Sequence, residues 1–112
     1  VLPEPTNYPL DFSAHNIHLT WADATGTILP DGYLIRGSTV SYAAISDPVD
    51  GTVYPDGPAE KNVAYGVQNV WFNNLSAGTV YYFKLFSYTG TGAARAYKTD
   101  GVIPQLMQAT TP

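Results

Sequence analysis

Leu75-Ser76-Ala77-Gly78-Thr79-Val80-Tyr81-Tyr82-Phe83-Lys84-Leu85-Phe86-Ser87 reads as a turn running into a strand. Tyr81, Phe83 and Leu85 alternate with Tyr82, Lys84 and Phe86, the period of two expected when one strand face is buried and the other points away from the core. Gly78-Thr79 supplies the tight turn ahead of it. Working outward, the same alternation recurs. Asn16 to Ala22 sets Ile17, Leu19 and Trp21 on one face and His18 and Thr20 on the other. Tyr33 to Arg36 turns Tyr33 and Ile35 inward and Leu34 and Arg36 outward, and Val67 to Asn74 turns Val70 and Phe72 inward and Trp71 outward. Pro5 to Ser13, with Tyr8, Leu10 and Phe12 spaced by two among prolines, suits an irregular edge strand. Ile103 to Thr110 closes the series.

Between these strands lie turn formers such as Asp23-Ala24-Thr25-Gly26, Pro30-Asp31-Gly32 and Asp100-Gly101, and no segment carries a helical repeat. Val40 to Gly66 is broken repeatedly by Asp47-Pro48, Asp50-Gly51 and Pro55-Asp56-Gly57-Pro58. A structureless connection beyond about 12 to 15 residues is uncommon in a compact domain, so one or two short edge strands are expected there, near Thr52 to Tyr54 and Asn62 to Tyr65. About seven short strands without helices indicate an antiparallel β-sandwich of immunoglobulin-like type.

The 112 residues match one domain spanning 1–112, with linker-like ends near 1–4 and 110–112, as in a segment of a longer polypeptide. There is no cysteine, which excludes disulfides, thiolate metal sites and a cysteine nucleophile. Five Lys and Arg against nine Asp and Glu give −4, and the basic residues are too dispersed to form the stripe that nucleic acid requires. No apolar stretch is long enough to span a bilayer as a helix.

Trp21, Tyr33 and Leu75-x-Ala-Gly-Thr-x-Tyr81 together resemble a fibronectin type III domain, in order and spacing along the whole chain. The resemblance implies a tyrosine corner in which the Tyr81 hydroxyl bonds to backbone of the preceding turn, and makes Trp21, Tyr33, Leu75 and Tyr81 structural. Ala77 departs from the proline usual there. An immunoglobulin domain fits less well, because Phe83 stands where its second cysteine would be. Pro48-Val49-Asp50-Gly51-Thr52-Val53-Tyr54 and Tyr88 through Gly101 are similar to fibronectin type III-like modules of secreted and surface multidomain bacterial proteins. That likeness implies an extracellular or cell-surface setting and a non-catalytic role in spacing or orienting neighbouring domains of the same polypeptide. No cofactor, no membrane insertion and a monomeric isolated domain are expected.

The candidate interaction surface is the outward set Leu34, Arg36, Trp71, Tyr82, Lys84, Phe86 and Tyr88. Aromatic platforms of this kind serve protein or glycan recognition, which makes a carbohydrate-binding accessory domain the alternative function. The favoured expectation is that this face is covered, by Val40 to Gly66 folding over Leu34, Tyr82 and Phe86 or by a neighbouring domain. Catalysis is the weakest reading: there is no nucleophile elbow and no phosphate loop, and Ser41 and Ser46 stand far in sequence from His15 and His18. Those two histidines make an incomplete metal set, and Asp47, Asp50 and Asp56 lack the spacing of a calcium hand and are ordinary turn formers.

Overall fold

The computed structural model describes residues 2–6 and 10–112. Tyr8, part of the expected first strand, lies outside them. Eight strand segments follow in order: β1 (Leu10–Phe12), β2 (Ile17–Thr20), β3 (Gly32–Ser38), β4 (Glu60–Ala64), β5 (Asn69–Phe72), β6 (Val80–Thr89), β7 (Ala96–Tyr97) and β8 (Gln105–Ala109). No α-helix occurs among the described residues; Gly92–Ala94 forms a single 3-10 turn. All pairings are antiparallel, in a three-stranded sheet ordered β1-β2-β5 and a five-stranded sheet ordered β4-β3-β6-β7 with β8 also on β6. β7 and β8 are two pieces of one closing strand laid along β6, interrupted by the loop at 98–104, which preserves the seven-strand plan.

Alternation places the core where expected. Ile17, Leu19 and Trp21 from one sheet meet Tyr33, Ile35, Phe83 and Leu85 from the other, with Phe72 and Leu75 completing the layer. Tyr81 and Val70 are only partly buried against it. The Tyr81 hydroxyl accepts the Ser76 amide at 2.9 Å, so the tyrosine corner is formed. It works with Gly78, whose φ of 59° is a left-handed turn angle that suits glycine best. Ala77 in place of proline therefore leaves the corner intact.

Val40 to Gly66 contributes one strand, β4; Thr52 to Tyr54 forms none. Its remainder lies over the outer face of the five-stranded sheet. The ends, linker-like in composition, are tied to the body. Pro5 is buried, the Pro3 carbonyl accepts the Ser87 hydroxyl at 2.8 Å, and Thr110 bonds through its hydroxyl to the Ser76 carbonyl at 2.6 Å.

Candidate interaction surface

β6 carries the outward residues Tyr82, Lys84, Phe86 and Tyr88, and its pairing with β3 sets Phe86 beside Leu34 and Lys84 beside Arg36. The structure divides this row. Leu34 and Phe86 are 0% exposed and Tyr88 is 7% exposed, so these three are not surface residues. With Ile45 and Tyr97 they make a second apolar core outside the sandwich, against which Tyr54, Tyr82 and Ile103 are partly buried. Ile45 comes from the loop, so the cover expected over this face is present. The physical reason is burial: an uncovered Leu-Phe-Tyr stripe would leave each side chain short of roughly 1.5 to 3 kcal/mol of transfer free energy.

Specific bonds hold the cover. Asp50 accepts the Tyr97 amide at 2.9 Å, the Gly51 amide donates to the Arg95 carbonyl at 2.7 Å, and the Tyr97 hydroxyl donates to the Thr52 carbonyl at 2.7 Å. Arg36 pairs with Glu60, donates to the Ser46 carbonyl at 2.7 Å and stacks on the Tyr54 ring at 4.2 Å. It is a clamp for the loop. Arg95 does likewise, lying 3.9 Å over the Tyr88 ring and donating to Asn62 at 3.1 Å. Gly32 is required beneath Tyr88, since a Cβ there would fall 2.5 Å from the phenolic oxygen. Burial raises the Tyr97 phenol above its ordinary range.

What stays open is the other end of β6. Met107 on β8 is 55% exposed and Val80 is 38% exposed, beside half-buried Tyr82 and Lys84. Tyr42 packs edge-on against Tyr82 at 5.1 Å. Burial and Tyr82 raise the Tyr42 phenol. Val80, Met107 and Tyr42 were not singled out from sequence, although Met107 is legible by alternation with Leu106, which packs on the core.

Trp71 stands apart on the three-stranded sheet and is 44% exposed. Its strand partner His18 stacks on it at 4.1 Å with the planes 1° apart, while His18 Nε2 meets Asn69 at 3.2 Å. His15 bonds through Nδ1 to the Leu75 carbonyl at 2.9 Å. Each histidine thus has its own local partner. Ser41 accepts the Ala44 amide and Ser46 accepts from Arg36, and no group of three or more His, Asp or Glu able to hold a metal occurs among the described residues. Asp56 is occupied by the Asn62 amide and side chain, both at 2.8 Å. A cleft of about 450 Å³ opens between Ile45 and the Pro55–Glu60 bend, walled by Arg36, Ser46, Asp56 and Pro58, and its charged groups are those holding the loop.

No family profile and no curated protein sequence matches the chain. Solved structures do. The FN3 domain of human collagen XX is similar at 22% identity, with 96% of this chain and 93% of that one covered and a TM-score of 0.57. Chicken CNTN1 FN1-FN3 domains match at 16% identity over 98% of this chain and 32% of that one, TM-score 0.62. The FN3 domain of human contactin 1 matches at 14% identity over 96% and 78%, TM-score 0.58. Sheet order, tyrosine corner and these likenesses agree that the chain has the fibronectin type III fold.

Proposed function

We propose that this domain is a non-catalytic structural and interaction module that spaces or orients neighbouring domains of a secreted or cell-surface bacterial protein. The observation that carries the reading is the covered face. Leu34, Phe86 and Tyr88 are sealed by the domain's own loop, so the sandwich completes both of its cores without a partner in a body of 42 × 24 × 21 Å. Replacing it in its parent protein by a flexible Gly/Ser linker of equal reach should broaden the distribution of distances between the flanking domains, read by small-angle scattering or fluorescence transfer. An unchanged distribution would remove the spacer role.

Carbohydrate recognition is the second reading, favoured by one observation: Trp71 is 44% exposed and held against His18 on the three-stranded sheet. Binding on a glycan array that disappears in Trp71→Ala supports it; an array without hits ends it.

A further inference from the structure

We propose that the free edge of β8 pairs with β8 of a second copy of this chain, joining the two five-stranded sheets about a two-fold axis at Met107. The inference starts from hydrogen-bond direction. Leu85 donates to the Pro104 carbonyl and Thr110 to the Thr79 carbonyl, so in this antiparallel ladder Leu106, Gln108 and Thr110 turn their backbone groups toward β6. Gln105, Met107 and Ala109 therefore turn theirs away, and an exposed row of this kind is a template for another strand.

The other edges of the same sheet are closed. Asp56 takes the outward amide of Asn62 on β4, and Gly57 bridges to Glu60. On β7 the amide of Tyr97 is taken by Asp50, and Gly51 donates to the carbonyl of neighbouring Arg95. In the smaller sheet β5 is four residues long and flanked by Gln68 and Asn74 in left-handed conformations, φ 61° and 59°, which end it abruptly. On β8 the comparable guard lies just past its end, where the outward amide of Thr111 donates to the Ser13 carbonyl at 3.2 Å, and among the described residues nothing takes the outward amides of Gln105, Met107 and Ala109. The Ala109 carbonyl holds the Gln108 side-chain amide at 2.8 Å, an exposed contact that leaves a second lone pair available.

A second copy is the occupant that this edge fits. Gln105-Leu106-Met107-Gln108-Ala109 carries no charge, so no like-charge contact opposes self-pairing. With the axis at Met107, its N–H and C=O meet those of its counterpart, and Gln105 of each copy meets Ala109 of the other. The pairing is self-complementary, as a two-fold interface requires. Each copy then adds exposed Met107 and Val80, with Tyr82, to one continuous apolar stripe. This departs from the monomer expected from sequence and does not depend on the spacer reading, whose test concerns flanking domains.

Sedimentation equilibrium over a concentration series tests it. The weight-average mass should rise from 12.1 kDa toward twice that value. Met107→Pro removes the central outward N–H without touching the β6 ladder, and Met107→Lys sets two like charges face to face. Both should stay at 12.1 kDa at every concentration while keeping the wild-type melting midpoint in dilute solution. Should the proline variant fail to fold, the lysine variant carries the comparison alone. A wild type that stays at 12.1 kDa throughout overturns the proposal, as do variants that associate as well as wild type or assembly that grows past two copies. A monomer that instead captures an unrelated extended peptide overturns it as well.

Discussion

Strand β6 offers two halves of one outward face, and they have opposite fates. Phe86 and Tyr88 lie under the 40–59 loop in a second core, whereas Val80 and Met107 stay exposed and Tyr82 and Lys84 are only partly buried between them. The local chemistry is nearly the same, an aromatic-rich strand alternating with the core positions. The difference comes from what is laid on top. Ile45 and the bonds from Asp50, Gly51 and Thr52 reach the β7 half, while on the β8 half the loop sets only Tyr42 against Tyr82 and leaves Val80 and Met107 exposed. An exposed aromatic pattern therefore marks a binding face only where no distant segment has claimed it.

The comparison breaks most sharply at Phe86. Phe86→Ala should lower unfolding free energy by about 3 to 5 kcal/mol, because a fully buried ring leaves a cavity. Tyr82→Ala should cost clearly less in the same denaturant titration, and equal costs would mean that the two halves are not distinct. Next is the strap itself. Asp50→Ala leaves the Tyr97 amide without its acceptor, for a loss of about 1 to 3 kcal/mol and faster hydrogen exchange at that amide, whereas Asp50→Asn retains most of the stability. Smaller again is Tyr81→Phe, which removes only the hydroxyl that holds Ser76. A loss of about 1 kcal/mol by thermal or chemical melting is expected, and an unchanged midpoint would show the corner to be idle.

Alkaline pH should act on stability through the buried phenol of the main core. Tyr33 is wholly buried, and burial pushes its phenol far above the ordinary 10.0, helped by the nearby Asp23 carboxylate and opposed by the Ala24 amide. A raised folded-state value keeps the proton on in the native state after the unfolded chain has lost it. Its contribution is thus fully present below about pH 10 and is lost as pH rises beyond it. Ultraviolet titration should show Tyr33 ionising only with unfolding; its ionisation in the folded state near the ordinary phenol value would contradict the burial.

Much of this was legible in the residues themselves. Period-two alternation placed Ile17, Leu19, Trp21, Tyr33, Ile35, Phe72, Phe83 and Leu85 in one core, and the resemblance of Leu75 to Tyr81 to a fibronectin type III domain implied the Tyr81 hydrogen bond. The same alternation put Leu34, Phe86 and Tyr88 outward, which is correct as a direction, and the cover expected from Val40 to Gly66 is what takes them from the surface. Arg36 read as a surface charge and acts as a clamp on Glu60, Ser46 and Tyr54, all contributed by the loop or its flank. Trp71 stayed exposed, as its register predicts, but its stacking on His18 needed the β2–β5 pairing.

By itself the sequence determined which way each strand residue points, because side chains of an extended chain alternate strictly and apolar ones must leave water. The corner was implied by the fibronectin type III resemblance of Leu75 to Tyr81, and the Tyr81–Ser76 bond bears it out. Only the tertiary structure decided which outward residues remain at the surface. That outcome depends on where a 40–59 loop with no periodicity of its own comes to rest, and on edge hydrogen bonds between residues far apart in the chain. Hence the outward amide of Tyr97 on β7 is taken by Asp50, whereas among the described residues those of Gln105, Met107 and Ala109 on β8 are not taken.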